Sequence, residues 1–283
     1  MSTLPPRLSC WPLLVALAFS VSAPAQDDPK EKPRGPSPEQ IEAALEHIKQ
    51  GFEAKEVALR LDASEQALKT PCKQVAEALG KYGLRDKEVH VRQAVIDGLG
   101  HMPEPAALEV LLGHGARAKR DLEKDPTTHA LLIRSIGRHG AEKSIPYLTK
   151  DLFSAKDRQV VQARILSLGR VRSVKAVEAL IAMSRKAGGR RGNSRHEADL
   201  RLALCVLTGV DNGKRSAGWN VWWNDNKKTL EISKEPADLP RSLSRQWERY
   251  WADPKEKKGD EEGGEPKDGT RKGKSQKGRR GDG

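Results

Sequence analysis

Cysteine and histidine are few in this chain and poorly placed for chemistry. Its 283 residues include three cysteines and seven histidines, and no spacing among them suggests zinc or haem. No His-Glu-x-x-His run and no glycine-rich phosphate loop occur, which removes the two most legible hydrolase and nucleotide signatures. The serines lack the flanking sequence that marks a nucleophile. His101 and His139 follow related glycines, but two imidazoles in different turns need a third ligand to make a metal site. No catalytic residue, cofactor site or metal site is assigned.

Long apolar runs are also lacking. The one candidate, residues 11–21, is short for a bilayer span. With Arg7 before it and Ala23-Pro24-Ala25 after it, it reads as an export signal over 1–25, cleaved ahead of Gln26. An uncleaved anchor is the alternative. Cys10 precedes the apolar run, the wrong side for a lipid-modified cysteine. Export places the mature chain in the periplasm or the medium, where Cys72 and Cys205 are permitted to pair. Cys205, however, sits within the helical apolar pattern Leu200, Leu204 and Leu207, which favours a buried free thiol.

The formal charge is +12. The tail 252–283 contributes +2 and the leader one arginine, so most of the excess belongs to the part that folds. Such a surface favours anionic partners: acidic protein, acidic polysaccharide or an anionic envelope surface. Nucleic acid fits poorly outside a cell.

The folded part repeats. An apolar residue followed by glycine recurs with apolar residues nine and twelve positions later: Leu99-Gly100 with Leu108 and Leu111, Ile136-Gly137 with Ile145 and Leu148, Leu168-Gly169 with Val177 and Leu180. A single helical hairpin cannot bury its apolar face, whereas a stack of them can. The spacing predicts helix pairs at 91–99 with 106–112, 129–136 with 144–152, and 160–168 with 174–184. A fourth first-helix at 196–207 ends in Leu207-Thr208-Gly209, followed by a tryptophan helix from Ser216. The repeat glycines read as helix stops in left-handed conformation. Taking Leu99, Ile136, Leu168 and Leu207 as anchors gives spacings of 37, 32 and 39. The extra residues fall at 113–128 and 186–195, and insertions of this kind often project toward partners.

Residues 26–36 lack apolar content and read as a linker. Ser37-Pro38-Glu39-Gln40 then supplies a cap, a first-position proline and a capping-box glutamine. Residues 37–90 read as an N-terminal helical cap, with helices to about Gly51, over 55–61, from Ser64 toward Lys69, and from Thr70-Pro71. Residues 91–209 are the repeats and 210–251 a tryptophan-rich C-terminal cap. Residues 252–283 are too polar to order themselves; the basic end of this tail offers a tether to an anionic surface.

Val91-Arg92-Gln93-Ala94 leading to Leu99-Gly100, and Ala176-Val177-Glu178-Ala179-Leu180 closing a later unit, resemble the short HEAT repeats shared with phycobilisome lyases. Leu207-Thr208-Gly209 followed by Trp219, Trp222 and Trp223 is similar to the C-terminal part of exported bacterial HEAT-repeat proteins. The resemblance spans roughly 75–226. It implies an all-α, right-handed α-solenoid of HEAT-like hairpins with helical caps, used as a non-enzymatic scaffold for a macromolecular partner, most readily a protein. Bilin lyases and alkylpurine DNA glycosylases on such folds supply the enzymatic alternative, and an envelope adaptor held by basic loop and tail supplies another.

The candidate partner-binding residues are Arg185, Lys186, Arg190, Arg191 and Arg195, five cations without an acidic neighbour and broken by Gly188, Gly189 and Gly192. Guanidinium groups on such a segment can engage phosphate, sulfate or carboxylate in pairs of hydrogen bonds; the plainer reading is a solvated connection. The five tryptophans from Trp219 to Trp251 read as a lid on the open end of the last hairpin, or as exposed rings for sugar or membrane. The export reading predicts that the protein recovered outside the cytosol begins at Gln26, which N-terminal sequencing or intact mass checks.

Overall fold

The computed structural model describes residues 35–150, 157–187 and 196–252. The expected leader, Arg190, Arg191, Arg195 and the tail beyond 252 lie outside the described residues. Among the described residues there are α-helices and short 3-10 turns and no strand. The all-α expectation therefore holds.

The first helix, α1 (Pro38–Glu53), starts as its sequence dictates. Ser37 Oγ accepts from Gln40 N at 3.3 Å, and Gln40 Oε1 accepts from Ser37 N at 2.8 Å, with Pro38 in the first turn. Two short helices were expected next, but α2 (Val57–Ala67) is one. Ser64, read as a new start, instead donates its hydroxyl to Arg60 O one turn back at 3.0 Å, the bond that lets a serine sit inside a helix. Then come α3 (Lys73–Tyr82), α4 (Val89–His101) and α5 (Pro105–Arg117). They are followed by α6 (Lys119–Lys124), α7 (Pro126–Arg138), α8 (Ile145–Thr149) and α9 (Arg158–Leu168). The chain continues through α10 (Val174–Ala187), α11 (Glu197–Thr208), α12 (Ser216–Asn226) and α13 (Arg241–Trp251).

Packing follows two rows. In one, α2 meets α4, α4 meets α7, α7 meets α9 and α9 meets α11; in the other, α1 meets α3, α3 meets α5, α8 meets α10 and α10 meets α12. Tyr147 of α8 reaches the α5 backbone at Gly115 and links the two parts of the second row. Leu99, Ile136 and Leu168 are fully buried in one apolar cluster with Leu108, Leu111, Leu148, Val177 and Leu180. Each such side chain is worth about 1.5–3 kcal/mol of burial, so the recurring positions carry the fold.

The repeat glycines are not helix stops. Gly100 and Gly137 lie inside α4 and α7, and Gly169 caps α9 at φ −61°. What they share is contact. A Cβ on Gly100 would stand 2.6 Å from that of Ser135, a Cβ on Gly137 would come still closer to Ser167, and one on Gly169 would lie 3.1 Å from Ala203. Glycine therefore lets successive first helices touch, backbone to small residue. The left-handed turns belong to Gly140, φ +59°, three residues beyond the second repeat glycine, and to Gly209, φ +72°, which ends α11 as expected. Helix α11 meets Gly169 through Ala203, four residues before Leu207. The earlier helices offer the serine one residue before their anchors, so α11 packs one turn out of the register that a Leu207 anchor implies.

Two other expectations change. The insertion at 113–128 is helical rather than a loop: α5 runs through it to Arg117, and α6 adds a turn and a half pinned by buried Leu122. The tryptophans divide between two tasks. Trp219 and Trp223 of α12 are buried on α10, and the Trp219 indole donates to Gly213 O at 2.8 Å, so they cover the end of the array. Trp247 instead lies 3.1 Å from the Cβ position of Gly169, and the Trp251 ring lies 4.6 Å from the Arg170 guanidinium. Helix α13 thus returns over α9 and leaves the open end to α12.

Gly137→Ala should lower stability by about 1–3 kcal/mol, because overpacking outweighs about 1 kcal/mol of recovered helix propensity. Gly113→Ala, whose nearest neighbour is the flexible end of Arg117 at 3.4 Å, should be neutral or stabilising. Urea unfolding of the two variants checks the contrast.

Candidate functional site

Helices α4, α7 and α9 follow Asp86, Asp125 and Asp157, and the bonds of the first two shape a polar cleft. Asp86 Oδ1 accepts from Glu88 N at 2.8 Å at the start of α4. Its other oxygen lies 2.8 Å from Arg60 Nε in an ion pair with both side chains over nine-tenths buried. Arg60 Nη1 also donates to Ala54 O and Lys55 O. Arg92 repeats this staple one hairpin later, with Nη1 bonded to Asp86 O at 2.7 Å and Lys87 O at 3.0 Å. Asp125 caps α7: its carboxylate accepts from Thr128 N at 3.1 Å and from the Thr128 hydroxyl at 2.5 Å. Gln93 donates to that hydroxyl at 2.9 Å and ties α4 to α7. Burial works to raise the Asp125 carboxyl, but Thr128 and the Arg92 charge outweigh it and hold the group below its ordinary range.

The cleft has a volume of about 630 Å³. The turn at Arg85 and Asp86, with Arg92, forms one wall; His114 and Arg117 of α5, continued by Asp121 and Lys124 of α6, form the other. Burial, then the charges of Arg117 and Arg92, keep His114 below the usual imidazole range. Both guanidinium groups are therefore near that ring. The insertion at 113–128, singled out by repeat spacing, builds one wall. Arg92 supplies the other, and its part in the site could be read only once α4 and α5 were placed.

The predicted basic segment is divided. Arg185 Nε donates to Asn220 Oδ1 of α12 at 2.6 Å, a bond between helices, and Lys186 is exposed in the last turn of α10. Arg190, Arg191 and Arg195 lie outside the described residues. Cys72 and Cys205 are buried free thiols, and burial followed by Asp211 pushes Cys205 up to about 12. Among the described residues no group of three or more His, Cys, Asp or Glu could hold a metal ion, and no helix is long and apolar enough to cross a membrane.

Two further histidines share the condition of His114. Burial and the Arg164 charge lower His129 to about 4, against a smaller opposing effect of Glu123. Burial also lowers His139, although its Nε2 donates to Leu99 O at 3.1 Å. As pH falls below 6.5 the unfolded chain takes up protons that these rings refuse when folded, so stability falls; for His129 the loss runs from 6.5 to about 4 and levels below. His129 alone should account for about 1–2 kcal/mol, the full linkage value being reduced for its partial exposure. Urea unfolding at neutral and mildly acid pH checks this, with His129→Gln expected to flatten the slope. Compared with known proteins, the chain matches no family model and no curated sequence.

Proposed function

We propose that this protein is an exported, non-enzymatic scaffold: a right-handed α-solenoid of the HEAT type that holds a macromolecular partner, a protein, by an acidic group seated in the cleft between α4 and α5–α6. The basic segment 185–195 is a second contact. Two rows of helices, each in contact with the equivalent helix of the next hairpin, support the solenoid. The observation that carries the binding role is the state of the charges around the cleft. Asp86 is neutralised by Arg60, and Asp125 and Asp121 face four cations, Arg85, Arg92, Arg117 and Lys124, of which Arg117 is exposed on the cleft. A surface whose cations outnumber its free acids attracts an acidic one from elsewhere, and the attraction is screened within about 8 Å at physiological salt.

The test is capture from an envelope extract at low and high salt, comparing the intact chain with Arg117→Glu/Lys124→Glu and with Arg190→Glu/Arg191→Glu/Arg195→Glu. The cleft variant should lose the partner and the loop variant should weaken it, both more clearly at low salt. Equal capture by all three proteins at every salt concentration would refute the charge-led contact.

A further inference from the structure

The cleft between α4 and α5–α6 has hydrogen-bond donors in excess of acceptors. Arg92 uses Nη1 on two carbonyls of the turn before α4. That leaves the Nε and Nη2 edge, the one that forms paired parallel bonds with an oxyanion. Arg117 rests along α5 with its guanidinium nitrogens 3.4 and 3.5 Å from the Cβ position of Gly113, and it has no hydrogen bond or ion pair among the described residues. His114 lies three positions before Arg117, so the two share a face of α5. These nitrogen-bearing groups, from two helices, look into one space of about 630 Å³.

The nearby acids balance them only in part. Asp86 is paired with Arg60 and accepts from Glu88 N, whereas Asp125, although hydrogen-bonded to Thr128, keeps its negative charge near Arg92; with Asp121 it leaves the four lining cations Arg85, Arg92, Arg117 and Lys124 two charges in excess. Exposed Asp121 is opposed by Arg85 and Lys124 on the same cleft. The geometry points to a binding site for a phosphate-type dianion, a phosphate monoester or free phosphate, held by Arg92 and Arg117 with His114 donating a third hydrogen bond. This rests on reading the cleft as the partner contact and names the group that enters it.

A carboxylate would be satisfied by one guanidinium edge and would leave the second cation uncompensated. A tetrahedral dianion can accept from both walls at once, and its two charges match the two fixed cations. Its arrival also reverses the field at His114. With Arg92 and Arg117 neutralised, the imidazole takes a proton from solvent, so binding of the dianion is accompanied by proton uptake and tightens as pH falls toward the ligand's own second ionisation, near 6 for a phosphate monoester and higher for free phosphate.

Titration calorimetry on the mature full chain, at fixed ionic strength, tests this with inorganic phosphate, O-phosphoserine and acetate. Runs in two buffers of different ionisation heat report the proton. Saturable binding of phosphate or phosphoserine but not acetate is expected, with proton uptake. Tighter binding of phosphoserine would assign the group to a partner chain, and tighter binding of phosphate to the free ion. Arg117→Gln should weaken binding at least tenfold with an unchanged circular dichroism melt. His114→Gln should keep detectable binding and lose the proton uptake. Acetate binding as well as phosphate, or Arg117→Gln binding as well as the parent, would overturn the proposal. So would absence of phosphate and phosphoserine binding in a protein that still captures its partner, and that outcome would leave the scaffold reading in place.

Discussion

The array depends on backbone meeting small side chain where one first helix crosses the next. Gly100 faces Ser135, Gly137 faces Ser167 and Gly169 faces Ala203, so that α4, α7, α9 and α11 approach without intervening side chains. Close approach also brings side chains within reach of a neighbouring helix's carbonyls. Ser167 donates to Ile133 O at 3.0 Å, His139 to Leu99 O at 3.1 Å and Arg172 to Val206 O at 3.0 Å. These bonds add about 1 kcal/mol each, and they also set register, because a slide of one residue along the helix would lose them. The apolar anchors supply most of the energy. The glycines decide where that energy is gained.

The arginine staples connect this architecture to the cleft. Arg60 and Arg92 bond the carbonyls five and six residues behind them, so each fastens the turn that precedes its own helix. Asp86 is bound to Arg60 in a buried pair, and a pair of that kind is costly to break because the survivor is left charged and dry. An aspartate used in this way cannot neutralise a ligand site. The same bonds that hold the turn before α4 leave the cleft beside it short of negative charge, which ties the binding chemistry to the fold.

Helix α13 acts on charge in the opposite sense. Arg170 lies against Trp251, and Arg134 lies 5.1 Å from the Tyr250 ring centroid and 5.9 Å from that of Trp251. Aromatic faces attract guanidinium groups, so these arginines are engaged with the protein itself. The formal excess of +12 therefore overstates what a partner would meet, and the cleft is one of the places where positive charge remains available.

Helix positions were legible in the sequence because apolar periodicity and capping residues act locally. The capping box at Ser37 and Gln40 and the burial of Leu99, Ile136 and Leu168 are cases in point. The purpose of the repeat glycines was not legible, since a helix-ending glycine and a helix-crossing glycine look alike until the neighbouring chain is in place. The fate of 113–128 and the path of α13 were hidden for a related reason: both depend on which surface a helix finds, through Leu122 in one case and Trp247 in the other. For the site, repeat spacing indicated the insertion, but only the fold could bring Arg92 to His114 and Arg117 and commit Asp86 elsewhere. Local preference is written along one segment, whereas a cleft is a relation between segments distant in the chain and exists only once their packing has closed.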